Sequence, residues 1–167
     1  MPLVNNLYIY VTDGSGFIED FTDWLDSVFT VGDVAVTSVE DMVKQIEKTL
    51  GKSRKIANLF IGGHGAPGWQ GVGCGSSWDV SGAKSLQVDS STGKLKGPAD
   101  ALIRRLTPRF NKDALVTLGG CKVGQDETLL KVLSAALSGI PVQAGKDNQR
   151  PFVPGMEGDV VRCKGNT

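Results

Sequence analysis

Short apolar runs alternate with segments of helical periodicity along this chain of 167 residues. Two of the runs are almost continuously apolar, IANLFIG (56–62) and ALVTLGG (114–120), which is typical of parallel strands buried on both faces. A third run combines β-branched and aromatic residues and ends at DGSG, so a first strand is predicted for LYIYVT (7–12). Three further strands are predicted for DVAVTS, PVQAG (141–145) and DVVRCK (159–164).

Helical periodicity separates these strands. Apolar residues recur at intervals of three and four positions in 17–29 and again after Ser38. Ser38, with an acidic residue three positions on, predicts the cap of a helix that ends at Gly51. Pro98 opens a short helix, and the most regular apolar stripe covers 126–138. The pattern therefore predicts helices between most successive strands.

The alternation of strands and helices predicts an α/β fold with a mostly parallel sheet flanked by helices. The length fits one domain, residues 1–167, because a chain of this size builds a single core. A Gly/Ser-rich insert at 65–97 lies between the two most apolar strands. Within it, KSLQVDSSTGKLKG predicts a hairpin that turns near Ser91 to Gly93.

Composition narrows the function classes. The formal net charge is zero, which argues against a nucleic-acid partner, since such a protein needs a basic excess to replace counterions around phosphates. No apolar stretch approaches the roughly 20 residues of a membrane span. The first residues lack the basic flank and long apolar region of a signal peptide. We therefore expect no membrane association, and a location in the cytoplasm or delivery as part of a larger system.

The three cysteines are Cys74, Cys121 and Cys163, and they show no CxxC spacing. This sparse, odd set argues against a disulfide framework or a zinc site, so we expect no metal and no cofactor. Cys74 and Cys163 are interpreted as structural. A free, reactive thiol is left as the chemistry that cysteine would supply.

The sharpest signal is the pair formed by Cys121 and the only histidine, His64. Each follows one of the two most apolar strands, and sites in open α/β sheets collect at the carboxyl ends of strands. If these strands are neighbours, both side chains leave the same edge of the sheet. A nearby imidazole and a helix N-terminus raise the thiolate fraction of a cysteine, and a helix is predicted to start near Asp126.

Glycines surround both residues. Gly119 and Gly120 precede the cysteine and Gly65 follows the histidine, so side chains that would block a substrate carbonyl are missing. The backbone N–H groups of Gly65 and Cys121 are then available to stabilise a tetrahedral oxyanion. Losing one donor from such a site typically raises the barrier by about 3 kcal/mol.

These motifs, LFIGGHGAPG and DALVTLGGCKVGQDETLLKVLSAALSGIPVQAG, resemble the caspase-like (clan CD) cysteine peptidases. The chain most resembles the CHAT-type and related bacterial caspase-like domains, over residues 56–145. The resemblance implies a caspase-like sandwich and peptide-bond hydrolysis, often with self-cleavage or activation by a partner or small molecule. It implies that Cys121 is the nucleophile, that His64 is the general acid/base, and that the Gly65 and Cys121 amides form the oxyanion hole. The substrate would be a polypeptide.

The chain departs from the caspase pentapeptide Q-A-C-x-G, since Gly119 and Gly120 replace Gln and Ala. Other members of the superfamily prefer Arg or Lys, which an acidic residue recognises. Asp13 at the end of the first strand is the candidate for that role, beside Gly120 as a substrate-binding position, while Asp79 and Asp126 are alternatives. The insert after His64, with its two tryptophans, is a candidate substrate wall or activation loop.

Other interpretations stay open. A lone histidine is usually structural, and cysteine is among the most often buried residues. The chain would then be a catalytically silent caspase-like interaction domain. A phosphate- or nucleotide-binding module would use DGSG or GGHGAPG as a cradle, but Glu19 replaces the third glycine of G-x-G-x-x-G and the Walker lysine is missing. An active dyad, by contrast, predicts a bell-shaped pH–rate profile.

Overall fold

The computed structural model describes residues 6–12, 31–75, 77–149 and 156–165. Strands and helices alternate along most of this part of the chain. The strands are β1 (Asn6–Thr12), β2 (Val31–Ala35), β3 (Lys55–Ile61), β4 (Gly65–Ala66), β5 (Trp69–Gly71), β6 (Ser85–Asp89), β7 (Lys94–Leu95), β8 (Phe110–Leu118), β9 (Val142–Gly145) and β10 (Val160–Cys163). The helices are α1 (Val39–Leu50), α2 (Ala99–Leu106) and α3 (Glu127–Ala136), with short 3₁₀ turns at Thr107–Arg109 and Val123–Gln125.

The main sheet has six strands in the order β10-β9-β8-β3-β1-β2. The neighbours from β2 to β9 run parallel, and only β10 is antiparallel to its neighbour β9. The predicted α/β class with a mostly parallel sheet flanked by helices is confirmed. The strands predicted from the apolar runs are all present, with bounds shifted by a few residues.

The described helices begin and end where the capping residues predict. The Ser38 hydroxyl accepts the Asp41 N–H at 3.0 Å, and α1 ends at Gly51, whose φ of 59° is left-handed. Helix α2 contacts both α1 and α3. In the described part of the chain, no helix is long and apolar enough to cross a membrane. The helix predicted for 17–29 lies outside the described residues.

Strands β3 and β8 form the centre of the sheet, but they are not fully buried on both faces as predicted. In β3, Ile56, Leu59 and Ile61 are at most 2% exposed, whereas Phe60 and Asn58 are half-buried. Strand β8 alternates in the same way. One face of each strand therefore packs into the core, and the other is only partly covered among the side chains described.

The insert 65–97 is a small sheet of its own, with four antiparallel strands in the order β4-β5-β6-β7. The hairpin predicted around Ser91 to Gly93 is confirmed, since Val88 pairs with Leu95 and Asp89 with Lys94. The partly buried Asp79 carboxylate orders the segment that leads into β6. Burial raises the pKa of Asp79, but hydrogen bonds from Ser81, Lys84 and Ser85 outweigh it and bring that pKa to about 2. Strand β4 starts directly after His64, so this sheet adjoins the predicted site.

Candidate active site

The ends of β3 and β8 place His64 and Cys121 at equivalent positions. The two strands are parallel neighbours, and Ile61 pairs with Leu118 in their shared register. Two glycines follow each of these paired residues, and then come His64 on one chain segment and Cys121 on the other. The condition that the two strands are neighbours is therefore met, and both residues leave the same edge of the sheet.

The two segments touch through glycine backbone. A Cβ atom built on Gly65 would lie 2.6 Å from the Gly120 Cα, and one built on Gly120 would lie 2.7 Å from the Gly65 Cα. No side chain fits at either position unless the segments separate, so both residues must be glycine for this approach. Gly65 directly follows His64 and Gly120 directly precedes Cys121. The contact therefore brings the histidine and cysteine segments together.

A buried glutamine links the same two segments. Gln70 in β5 is 0% exposed, and its Oε1 accepts the Gly120 N–H at 2.9 Å. Its Nε2 donates to the Gly71 carbonyl at 2.9 Å and, more weakly, to the His64 carbonyl at 3.5 Å. A buried amide with both ends satisfied specifies one arrangement, since any shift leaves polar atoms unpaired. Gln70 thus fixes the cysteine segment relative to the histidine segment.

The Cys121 thiol is half-buried and contacts the backbone of Gln149. Its Sγ accepts the Gln149 N–H at 3.3 Å and lies 3.5 Å from the Gln149 carbonyl oxygen, to which the S–H donates. The His64 side chain is exposed, and no hydrogen bond joins its ring to the thiol or to another residue in the described ranges. His64 and Cys121 therefore leave the same edge of the sheet, but the Cys121 sulfur is hydrogen-bonded to the Gln149 backbone.

The Gln149 side chain is buried and anchors the segment that covers the thiol. Its Nε2 donates to the carbonyls of Asp147 and Glu157, both at 3.0 Å, and its Oε1 accepts the Glu157 N–H at 2.9 Å. The Asp147 carbonyl also accepts the Lys122 N–H at 2.9 Å. Lys122 has a φ of 59°, a left-handed conformation that is strained for a residue with a side chain. The segment that contains Asp147 and Gln149 therefore contacts both the Cys121 thiol and the backbone of the next residue, Lys122.

The two amides expected to stabilise an oxyanion are placed differently. The Cys121 N–H donates to no residue in the described ranges. The Gly71 N–H bonds the His64 carbonyl at 2.8 Å, so Gly65 and Gln70 form the next, non-hydrogen-bonded pair of the ladder. The Gly65 N–H consequently points away from β5. It lies on the side where the backbone approaches Gly120.

Helix α3 is a weaker source of positive potential than predicted. Five residues lie between Cys121 and Glu127, the first residue of α3, and they include a short 3₁₀ turn. The Asp126 carboxylate caps α3 by accepting the Thr128 N–H at 2.9 Å. This negative charge offsets the positive end of the helix dipole. The dipole expected to act on Cys121 is therefore largely satisfied within the helix itself.

Asp13, the candidate for reading a basic side chain, lies outside the described residues. The two alternatives are occupied elsewhere. Asp126 is the α3 cap. The Asp79 carboxylate accepts hydrogen bonds from the Ser81 hydroxyl at 2.7 Å, the Ser85 hydroxyl at 2.9 Å and three backbone N–H groups. Both alternatives therefore have structural roles.

The tryptophans of the insert form a stack. Their ring centroids are 4.2 Å apart and the rings are 14° from parallel. Trp69 is buried and donates its Nε1–H to the Asp79 carbonyl at 2.8 Å, whereas Trp78 is 60% exposed. A Cβ on Gly71, whose N–H bonds the His64 carbonyl, would lie 3.0 Å from the Trp69 ring. The stack therefore lies near the histidine segment.

The other two cysteines, Cys163 and Cys74, have different surroundings. Cys163 is 6% exposed, and its S–H points to the Glu127 carboxylate at 3.7 Å. Burial, and then the negative charge of Glu127, raise the pKa of this thiol. Cys74 is half-buried within the insert. No group of three or more metal-ligating side chains occurs among the residues that the structure covers.

Sequence reasoning missed Gln70 and Gln149. Each acts through a tertiary contact about 30 or more residues away along the chain, and neither belongs to a local motif. The one available signal was the position of Gln70 between Trp69 and Gly71 in an insert rich in small residues. That position predicts a strand but not the partner of the amide.

The GGHGAPG segment uses two of its N–H groups within the protein, so these two are not available to a phosphate. Its Gly62 N–H donates to the Val11 carbonyl at 2.8 Å, and its Gly68 N–H donates to the Val123 carbonyl at 3.3 Å. The structure thus brings together His64, Gly65, Gly120 and Cys121. No protein-family model matches this chain, and no curated protein or solved structure is significantly similar to it.

Proposed function

We propose that this chain is a caspase-like cysteine endopeptidase that hydrolyses peptide bonds through Cys121 and His64. One observation carries the proposal. The two residues follow register-paired positions of neighbouring parallel strands, after identical two-glycine spacers, and Gly65 packs against Gly120. If the only histidine and one of the three cysteines were brought together by chance, the positions beside them, 65 and 120, would not both need to be glycine.

The chemistry follows from these groups. His64 accepts the Cys121 thiol proton, and the sulfur attacks the scissile carbonyl carbon as a thiolate, so that a C–S bond forms. The amides of Gly65 and Cys121 donate to the oxyanion. When the C–N bond breaks, His64 transfers a proton to the leaving amine. It then accepts a proton from the water that hydrolyses the thioester.

Substrate binding would displace the Gln149 backbone from the sulfur. Both backbone polar groups of Gln149, its N–H and its C=O, bond the thiol, so in this arrangement the sulfur is engaged away from His64. An extended substrate offers the same N–H and C=O groups and would take their place. An activating partner or small molecule would act on the same segment, and self-processing in an exposed loop would follow once the thiol is released.

Specificity for Arg or Lys at the P1 position remains part of the proposal, with Asp13 as its acidic reader. The occupied carboxylates of Asp79 and Asp126 leave Asp13 as the candidate. Gly120 contributes by its lack of a side chain, because a Cβ there would also lie 2.8 Å from the Gln70 Oε1. The segments that contain Gly65 and Gly120 can therefore stay in close contact only if residue 120 is glycine.

A catalytically silent interaction domain is the second candidate. The contact between the Cys121 sulfur and Gln149 favours it, because a thiol held by its own chain, without a hydrogen bond to the histidine, is not poised for attack. The two candidates predict opposite results in a turnover assay.

The test is hydrolysis of fluorogenic peptides that carry Arg, Lys, Asp or Leu at P1, from about pH 5 to about pH 9. We expect turnover of the Arg and Lys peptides with a bell-shaped profile. Cys121→Ala and His64→Ala should remove it, and Cys74→Ala is the matched control. Activity retained in either dyad variant, or a flat profile, would refute the dyad. A folded wild-type protein inactive on every peptide would favour the interaction domain.

A further inference from the structure

A second site candidate lies on the helical side of the molecule. An open pocket of about 380 Å³ is bordered by α2, α3, the turn between β6 and β7, and the residues after β10. Small-molecule sites usually have volumes of roughly 300–1,000 Å³. None of its lining residues belongs to the segments around His64 and Cys121. The pocket is therefore separate from the proposed dyad.

Four cationic side chains from four parts of the chain line this pocket, and no carboxylate among the described residues does. They are Lys94 in β7, Arg104 in α2, Lys131 in α3 and Lys164 after β10. The whole chain has a formal net charge of zero, so this is a local concentration of positive charge. Clustered like charges in a concave surface focus the potential and attract anions.

Two of the four cationic side chains form an ion pair with a carboxylate, and the other two form none among the described residues. Arg104 pairs with Asp100 at 2.8 Å, and Lys131 pairs with Glu127 at 3.3 Å, both within one turn of their own helix. Lys94 and Lys164 form no ion pair with a residue in the described ranges. The Arg104 guanidinium keeps further N–H donors beyond those facing Asp100. The pocket thus has unpaired charge and free donors.

The framework of the pocket is fixed. The Gly165 N–H donates to the buried Ser134 hydroxyl at 2.8 Å, and a Cβ on Gly165 would lie 2.6 Å from the Lys131 carbonyl. The chain after β10 therefore lies directly on α3, which keeps Lys164 at the pocket. On the opposite side, the Asp89 carboxylate orders the hairpin turn by accepting the Ser91 N–H at 2.9 Å. A preformed site loses less entropy on binding.

We propose that this pocket binds a small ligand that carries two or more phosphate groups. A single carboxylate would neutralise only one of the four cations, whereas linked phosphates reach several at once. The apolar surface of Val132 and Ala135 between the cations suits a compact organic or bridging group. A nucleic acid would need an extended basic stripe rather than one compact cluster. The proposal does not depend on peptidase activity.

The experiment is isothermal titration of the full chain with tripolyphosphate at about 50 mM and about 200 mM salt. We expect one site, weaker at the higher salt. Lys94→Ala/Lys164→Ala should weaken binding by about tenfold or more. The matched control is Lys48→Ala/Lys112→Ala, which removes two exposed lysines outside the pocket. Amide NMR of the wild type gives an independent readout, with shifts expected at Gly93 and Gly165.

ATP without magnesium, pyrophosphate and citrate complete the series. Binding of ATP as well as tripolyphosphate would indicate a nucleotide, and binding of tripolyphosphate alone an inorganic or non-nucleotide phosphate. Three results would overturn the proposal. They are no wild-type binding at the lower salt, equal affinity in the pocket and control variants, and citrate binding as tight as tripolyphosphate. Displacement by single-stranded oligonucleotides with length-dependent affinity would also refute a small-ligand site.

Discussion

Cys121 and Cys163 are two thiols in one sheet with opposite surroundings. Cys121 follows the carboxyl end of β8, is half-buried, and among the described residues bonds the backbone groups of Gln149. Cys163 is the last residue of β10, is 6% exposed, and faces the Glu127 carboxylate. Burial and that negative charge raise the pKa of the Cys163 thiol, which keeps it protonated.

The comparison indicates that the position of a cysteine relative to its strand determines how exposed its thiol is and which groups surround it. At the last position of β10, the Cys163 side chain lies against Glu127 of α3 and is desolvated. Cys121 lies three residues past the end of β8, at the edge of the sheet where the His64 segment also leaves. The proposed nucleophilic role of Cys121 therefore rests on its place in the fold and not on residue type.

The largest expected effect separates the two thiols by turnover. Cys121→Ala should lower kcat/KM by at least about 10³-fold, since the nucleophile is lost. Cys163→Ala should leave kcat/KM unchanged, because that thiol lies outside the site. Steady-state kinetics on the preferred fluorogenic peptide measures both. Equal losses in the two variants would remove the distinction.

The second-largest effect on activity is expected from separating the two segments that meet at Gly65 and Gly120. In Gly120→Ala the new Cβ would lie 2.7 Å from the Gly65 Cα, so the segments must separate and activity should fall about 100-fold. Gly51→Ala is the control, since Gly51 has a φ of 59° and open space around it. That variant should lose about 1 kcal/mol of stability with activity intact. Unchanged kinetics in Gly120→Ala would contradict the contact's role.

Removing the buried amide should weaken the fold as well as the site. Gln70→Met leaves the Gly120 N–H without its acceptor, and the free energy of unfolding should fall by about 2 kcal/mol. Gln45→Met, at a half-buried position on α1, is the matched control with no expected loss. Urea denaturation gives both values. Equal stability of the two variants would show that Gln70 does not hold the segments together.

Loosening the cover should raise the reactivity of Cys121 alone. Gln149→Ala removes three hydrogen bonds that hold the covering segment, so labelling of Cys121 by a small electrophile should speed up several-fold. Cys163 in the same protein is the internal reference. Mass-spectrometric labelling rates measure both thiols. Acceleration of both would indicate general unfolding instead.

The smallest effect concerns Cys163 and pH. Its pKa is raised in the folded state, so its contribution to stability is present below the unfolded-state pKa and is lost as pH rises through the folded one. From about pH 8 to about pH 10, the wild type should lose slightly more stability than Cys163→Ala. Urea denaturation across that range measures it. A wild type that gains stability relative to the variant would reverse the sign.

The fold could be predicted largely from local signals, because each depends on nearby residues. Ser38 and Gly51 bound α1 through capping, and the apolar runs identify β3 and β8. The pairing of His64 with Cys121 required these two strands to be neighbours, and they are. The roles of Gln70 and Gln149 could not be predicted, since their hydrogen-bond partners depend on how distant segments meet. The same holds for the basic pocket, whose cations come from four separate elements.

The most direct test of the central claim is labelling at neutral pH with peptide electrophiles that carry Arg, Lys, Asp or Leu at P1. Mass spectrometry would locate the adduct, with His64→Ala treated in parallel. The dyad predicts an adduct on Cys121 alone, which is lost in His64→Ala, and the preferred peptide would define the P1 residue. Equal labelling of Cys74, Cys121 and Cys163, or undiminished labelling of Cys121 in His64→Ala, would contradict it.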